Sequence, residues 1–385
     1  MDAYEHNSHM KTFVIVAKVG GVLSMIGSLL ILRDVTLKVK LHRTIPLTTK
    51  IMTLITVAIL FIGFWESFLS TWMVPKDSPN AFLASGNVTT CNIQGFISVW
   101  MFIIVETAYT MLSALYYISV ARRDWTTQKT RSSTVMFSFL ALPIIIGLAT
   151  AIPLLVTKQY NFNGVYSCFI ASYPLHCDFE EDVPCTRGPH ATYIRQGLFI
   201  YVLFCFAVII IFLSMLLYNV KKHDAQTAKY TSLYLGGKGG GMRNPVAFQA
   251  LRYVIVFFIP NIAFIIWAIV DIFNIQMSNN VFFAVLYLYV VVWPLFGVLN
   301  ALVYFRLRYL NERRSNPDAA WTILIGKTFT ISPLSLSTRS STPSQISALI
   351  DEDDYLSSPL FEDESATGSN GEALSAAMAP GHTLL

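Results

Sequence analysis

CNIQGFISVWMFIIVETAYTMLSALYYISV, residues 91–120, is the stretch whose reading decides the fold. It opens on a cysteine, carries one carboxylate, Glu106, near its middle, and stops just before Arg122 and Arg123. About 20 apolar residues rising 1.5 Å each cross a ~30 Å hydrocarbon core, so the part from 93–120 is long enough to span a bilayer. Further spans of this kind lie at 12–33, 49–73, 135–156, 196–220, 247–273 and 280–305. A bilayer admits only helices or closed barrels, and these runs lack the alternation over about ten residues that marks a barrel strand. The expected fold class is an all-α integral membrane protein, a seven-transmembrane-helix bundle with its third span as the central post.

Composition agrees with this. Hydrophobic residues make up 54% of the chain and charged residues 13%, against about 25% charged in an ordinary soluble domain. Only the short polar segment 1–11 precedes the first span. That layout is not a cleavable signal peptide, so the first span is expected to serve as signal anchor. Lys and Arg in short loops set orientation. Arg33, Lys38, Lys40 and Arg43 follow span 1; Arg122, Arg123, Lys129 and Arg131 follow span 3. Lys221, Lys222, Lys229, Lys238 and Arg243 follow span 5, and Arg306, Arg308, Arg313 and Arg314 follow span 7. The other side holds only Lys11, Lys76, Lys158, Arg187 and Arg195. Residues 1–11 are therefore expected outside the cell, the C-terminus in the cytoplasm, and the protein in the plasma membrane as a multi-pass chain.

Of the five cysteines, Cys91, Cys168, Cys177 and Cys185 fall on the expected outer side, and Cys205 lies within span 5. Four cysteines on an oxidising face suggest two disulfides, with three possible pairings. Cys91–Cys168 with Cys177–Cys185 is the favoured one, because a bridge from the start of span 3 would pin the long 4–5 loop across the bundle mouth. The outer 2–3 loop also holds the one sequon, Asn87-Val88-Thr89, a candidate glycosylation site.

Ionisable groups at membrane depth cost several kcal/mol unless they face a partner or a cavity, which makes each a candidate for function. Glu66 and Glu106 are placed facing the interior, either hydrogen-bonded for packing or lining a ligand pocket, with Trp100 and Trp267 as further pocket candidates. Lys18 is close enough to the end of span 1 to snorkel. Arg252, Asn300 and Tyr304 are expected to form a polar latch between spans 6 and 7 that opens on activation, with Tyr253 beside it. Pro143, Pro153, Pro260 and Pro294 lie inside spans 4, 6 and 7, where proline removes a backbone donor and bends the helix.

The remaining segments are peripheral. The glycine-rich run at 236–241 lacks the preceding strand and the Gly-Lys-Ser/Thr of a phosphate cradle, so it is expected to be a hinge. Residues 306–315 are expected to form a juxtamembrane amphipathic helix lying against anionic lipid. Residues 316–385, rich in Ser, Thr, Pro, Asp and Glu, are expected to be a disordered cytoplasmic tail. Its serine cluster at 337–344 is a candidate site for kinases, and Thr383-Leu384-Leu385 is a candidate for a PDZ-type groove. No metal spacing, cofactor motif or nucleophile constellation is visible, so neither an enzyme nor a nucleic-acid partner is expected. No lysine lies within span 7, which excludes a retinal Schiff base. A secondary transporter remains the alternative, although no repeat relates the two halves.

Two motifs resemble those of a known group. Cys91-Asn92-Ile93-Gln94-Gly95 resembles the Cys-x-Ile-Gln-Gly that opens helix 3 in the slime-mould cyclic-AMP receptors and their relatives. Pro294-Leu295-Phe296-Gly297-Val298-Leu299-Asn300-Ala301-Leu302-Val303-Tyr304 is similar to that group's Pro-Leu-x-Gly-x-x-Asn-x-x-Val-Tyr, which the secretin-like (family 2) receptors share more loosely. Tyr253 and Pro260 match the Tyr…Pro layout of its helix 6. The resemblance covers roughly residues 10–315. It implies a G-protein-coupled receptor with a Cys91–Cys168 bridge, an outer pocket for an unidentified ligand, and an inner surface for a heterotrimeric G protein. On that surface it would place Arg122, Arg123, Lys221, Lys222, Arg306 and Arg308. Span 4 lacks the group's tryptophan, no large domain precedes span 1, and Arg122-Arg123-Asp124 is not the rhodopsin-like Asp-Arg-Tyr. Cyclic AMP is therefore not carried over as the ligand.

Overall fold

The computed structural model describes residues 3–41, 45–79, 81–121, 133–175, 177, 183–235, 245–273 and 278–316, with 319, 320, 323 and 326 beyond. The sites expected at Arg122, Arg123, the glycine run and the tail motifs lie outside the described residues, as do the side chains of Tyr253 and Trp267.

Eight α-helices and one small hairpin make up the described chain. They are α1 (Ala3–Leu41), α2 (Leu47–Ile62), α3 (Val88–Ala121), α4 (Ser133–Val156), β1 (Tyr160–Phe162), β2 (Cys168–Ile170), α5 (Ala191–Leu235), α6 (Pro245–Ile272), α7 (Asn279–Val292) and α8 (Phe296–Ser315). Among the described residues, six stretches are long and apolar enough to cross a membrane: His9–Lys40, Leu47–Phe68, Val88–Ser119, Thr134–Val156, Ala191–Lys222 and Val281–Arg306. α6 covers the span expected at 247–273, although its described apolar stretch, Val254–Ile266, is shorter. The described chain is a predominantly helical, multi-pass membrane protein.

The boundaries differ from expectation in three places. α1 begins at Ala3 rather than at residue 12, because nothing in AYEHNSHMK breaks a helix, and it runs on through RDVTLKVKL to Leu41. Residues 306–315 are not a separate surface helix. They are the second half of α8, which is continuous from Phe296 to Ser315. Span 7 is broken instead at Pro294, where a 3₁₀ turn, Trp293–Leu295, separates α7 from α8. Proline lacks the N–H that would continue the ladder, so the turn tightens there. Pro143 and Pro153 in α4 and Pro260 in α6 sit within continuous helix.

α3 is the post of the bundle. It packs against α2, α4, α5, α6 and both strands, and its residues Val99, Met101 to Val105, Ala108, Tyr109, Leu112 and Leu115 are buried. α4 and α5 are peripheral, with 22% and 28% of their apolar windows buried against 56% for α3. Lipid is as apolar as leucine, so close approach rather than hydrophobicity joins helices here. α1 and α8 show this plainly. A Cβ on Gly27 would lie 2.6 Å from the Gly297 carbonyl oxygen, and the Gly297 N–H donates to Ser24 Oγ at 2.9 Å.

Candidate functional site

The site begins where α2 stops being an α-helix. Gly63–Phe68 forms one π turn, in which the Leu69 N–H bonds to the Phe64 carbonyl at 2.9 Å, and a 3₁₀ turn, Ser70–Met73, follows. Such single-turn insertions often mark functional positions. Two outside groups hold the break. Lys18 does more than snorkel: its Nζ donates to the Phe68 and Leu69 carbonyls at 2.9 and 3.1 Å and stands 3.7 Å from the centre of the Trp72 ring. Ser70, at φ 45°, occupies the left-handed region, costing about 1–2 kcal/mol for a residue with a Cβ. Its hydroxyl donates to the Tyr166 carbonyl at 2.8 Å.

The break carries Glu66 into the interior, where it is 4% exposed. Its Oε1 accepts from the hydroxyls of Tyr289 on α7 at 3.2 Å and Tyr166 of the hairpin turn at 3.4 Å. Those two rings stack at 6.3 Å, and Tyr289 stacks in turn on Trp293 at 5.9 Å. Trp293 meets Phe102 at 5.7 Å and Phe296 at 6.0 Å, and Phe296 stacks on Tyr109 at 6.0 Å. The Tyr109 hydroxyl then donates to Asn300 Oδ1 at 2.7 Å. A continuous aromatic column thus runs from Glu66 at the hairpin end to Asn300 in the opposite half, crossing the Pro294 break.

The hairpin closes one end of the bundle, and the Cys91–Gly95 motif fastens it. Cys91 is bonded to Cys168, and Cys177 to Cys185. Asn92 Oδ1 accepts from Arg187 Nη2 at 2.6 Å, and the same guanidinium donates to the Tyr160 carbonyl at 3.2 Å. Gln94, fully buried, donates from Nε2 to the carbonyls of Trp65 (2.6 Å) and Ser70 (2.9 Å) while its Oε1 accepts the Cys168 N–H at 2.8 Å. Gly95 leaves room for the Tyr160 ring, which a Cβ would approach to 2.7 Å. Tyr160 donates to the Ala151 carbonyl at 2.9 Å, tying the hairpin to α4. Burial pushes the Tyr160 phenol up and the Arg187 guanidinium down from their ordinary values; at neutral pH both still keep the proton they donate.

Glu106 stands apart from the column. It is fully buried on α3, and among the described residues neither carboxylate oxygen has a hydrogen-bond donor. The nearby hydroxyls are committed elsewhere: Thr110 donates to the Glu106 backbone carbonyl at 2.9 Å, and Thr107 Oγ1 is 2.7 Å from the Tyr201 hydroxyl.

The expected latch residues are distributed differently. Asn300 bonds to Tyr109 of α3, and Tyr304 donates to Asp34 of α1 at 2.8 Å. Asp34 also accepts from Arg308 Nη1 at 3.0 Å and has Lys38 Nζ at 3.8 Å. Arg252 has the cationic Arg306 as its electrostatic neighbour and no hydrogen bond or ion pair among the described residues. Trp100 packs against Gly147 of α4 and Phe96 rather than beside Glu66. Asn87 is exposed and caps α3, its Oδ1 accepting the Thr90 N–H at 3.0 Å. Lys221, Lys222 and Arg306 are exposed.

Sequence reasoning passed over Gln94, Tyr166, Tyr289, Ser24 and Asp34 as site residues. Gln94 was detectable as an uncharged polar residue inside the quoted motif. Tyr166 and Tyr289 carried no local signal, since they meet Glu66 across 100 and 223 residues of chain. Among the described residues no group of three or more His, Cys, Asp or Glu is placed to hold a metal ion. No protein-family model matches the chain, and no characterised protein matches it significantly in sequence.

Proposed function

We propose that the chain is a G-protein-coupled receptor of the plasma membrane, with seven crossings, its hairpin end outside and α8 leading into the cytoplasm. α6 supplies the crossing between α5 and α7, and an odd number of crossings puts the two termini on opposite sides. The hairpin end carries both disulfides and the sequon, while Lys and Arg gather at the other end, as the positive-inside rule requires.

The observation that carries this reading is the aromatic column. A ligand bound in the hairpin half of the bundle would act on that end of the column, where Glu66, Tyr166 and Tyr289 meet. Packed aromatic rings are not continuously deformable, so a shift there favours one of a few discrete arrangements. The Pro294 break lets α8 swing relative to α7, and the Tyr109–Asn300 bond registers that swing against α3. Agonist affinity that differs between the two arrangements would move the equilibrium and free the inner ends of α5 and α6 for a heterotrimeric G protein. The resemblance of the Cys91–Gly95 and Pro294–Tyr304 motifs to slime-mould cyclic-AMP receptors supports the same reading. The test is G-protein dissociation in cells expressing the chain across a ligand panel, with Glu66→Gln and Asn300→Ala alongside; an unchanged signal from all three at normal surface expression contradicts it.

A secondary transporter is the second reading. It draws on the two interrupted helices, at Gly63–Phe68 and Trp293–Leu295, beside the buried carboxylate Glu66. Solute uptake in the same cells separates the two.

A further inference from the structure

The hairpin leaves little room for a ligand arriving from water. Its disulfide, Gln94 and Arg187 fasten it across the bundle, and its own Tyr166, fully buried, fills the position next to Glu66. An opening exists on the side. A cleft of about 270 Å³ lies between α3, α4, α5 and β2, lined by Ile103, Thr150, Leu154, Ile170, Gly197 and Tyr201. It sits between the two helices least covered by protein, flanked by the exposed side chains of Ile152, Val156, Ile200 and Phe204, so it faces hydrocarbon. Its volume is just under the ~300–1,000 Å³ of sites for drug-sized ligands, which suits one alkyl chain.

The helix turns next to the lining residues are polar. Glu106 follows Ile103 by three residues on α3, and Cys205 follows Tyr201 by four on α5; these spacings place each on the same helix face as a cleft residue, one turn deeper. The Tyr201 hydroxyl bonds Thr107 and interacts electrostatically with both Glu106 and Cys205. Beneath an apolar, lipid-facing cleft there is therefore a buried carboxylate without a donor for either oxygen among the described residues. Such a group takes up a proton or is satisfied by a donor brought from outside, and even when protonated its carbonyl oxygen still lacks a donor.

We propose that this lateral cleft binds an amphiphile arriving through the bilayer, its alkyl chain between α4 and α5 and its hydrogen-bond-donating end, an amine or a hydroxyl, turned toward Glu106 past Tyr201. Under the receptor reading, on which only its signalling role rests, this molecule is the agonist. A carboxylate-ended chain is the wrong partner, since it would bring a second acceptor to Glu106.

The test uses the full chain, purified in lipid nanodiscs and exposed to diazirine-bearing long-chain alkyl probes that end in an amine, a hydroxyl or a carboxylate. Cross-linked peptides are mapped by mass spectrometry. Amine and hydroxyl probes should label the segments 150–154 and 197–201 several-fold more than other lipid-facing segments, and the carboxylate probe should not. Gly197→Trp should remove that enrichment. A Cβ at Gly197 meets no atom within 4 Å, so the new side chain starts in open space. Phe204→Trp, on the same helix outside the cleft, should leave it intact, and Glu106→Gln should erase the preference against the carboxylate probe. Labelling spread evenly over the lipid-facing helices, or enrichment that survives Gly197→Trp, overturns the proposal. Cleft labelling by probes that elicit no G-protein dissociation upholds the site and counts against the receptor reading; dissociation without cleft labelling does the reverse.

Discussion

Gln94 on α3 and Ser70, in the 3₁₀ turn that follows the break in α2, meet through a 2.9 Å hydrogen bond from the side-chain amide to the backbone carbonyl. That bond joins two otherwise separate features, the interrupted helix that turns Glu66 inward and the hairpin that covers it. Gln94 reaches the second through the Cys168 N–H. One side chain thus holds both walls of the candidate site in register.

Gln94→Leu should therefore destabilise more than an ordinary core substitution of similar volume. It strands two carbonyls and one N–H in a buried place, each costing about 1–3 kcal/mol when unsatisfied. The expected result is a melting temperature lowered by several degrees, and weaker surface expression, measured by size-exclusion chromatography of heated, detergent-solubilised protein. A melting temperature within error of the parent would show that these bonds contribute little.

Asn87 serves two roles, and two substitutions divide them. Thr89→Ala removes the sequon and leaves the cap on α3 in place, so it should abolish any glycosidase-sensitive mobility shift without changing thermal stability. Asn87→Ala removes both, and loss of an N-cap costs about 1 kcal/mol. Equal stability for the two variants would mean that the Asn87–Thr90 bond does not hold the helix start.

Glycine has different weight at two positions. At Gly297 a Cβ would strike the Ser24 carbonyl, so Gly297→Ala must push α1 and α8 apart; it should reduce surface expression strongly, as read by flow cytometry on an N-terminally tagged chain. At Gly197 the added methyl meets open space, and Gly197→Ala should be expressed like the parent. Equal effects of the two would contradict the packing described for α1 and α8.

Asp34 ties α1 to α8 through Tyr304 and Arg308. Asp34→Asn keeps the shape but removes the charge. Truncating one partner of a buried, hydrogen-bonded charge pair costs about 3–5 kcal/mol, and a half-exposed pair such as this one less. The expected effect is a looser end of α8, seen as faster amide hydrogen exchange over Tyr304–Ser315 with exchange in α3 unchanged. Unchanged exchange over that segment would show that Asp34 does not restrain it.

Long apolar runs made the helices legible, because bilayer thickness imposes their length. The cysteine pairing was also accessible, since Cys91 at the head of α3 and Cys168 in the longest loop on the same side bracket the bundle mouth. The π turn in α2 was not. GFWESF contains no proline, and the turn is held by Lys18, through the Leu69 carbonyl, and Gln94, through the Trp65 carbonyl, both distant in sequence. Asn300 and Tyr304 were expected in a latch between spans 6 and 7, and the structure joins them to other helices instead. Their partners, Tyr109 and Asp34, lie 191 and 270 residues away on different helices, and helical periodicity says nothing about which neighbour a face meets. The early start of α1 was hidden for a simpler reason. Polar residues permit a helix as well as a tail, and only tertiary contacts such as His9 with Tyr287 decide between them.

The most direct measurement of the central claim is basal and ligand-stimulated G-protein dissociation in living cells for the parent, Tyr109→Phe, Asn300→Ala and the double variant, with surface expression matched. If the Tyr109–Asn300 bond registers α8 against α3, each single variant shifts basal signalling in the same direction, and the double variant shifts it no further than the larger single effect. Four identical traces, accompanied by solute uptake that the Asn300→Ala variant abolishes, would contradict the receptor and point to the transporter.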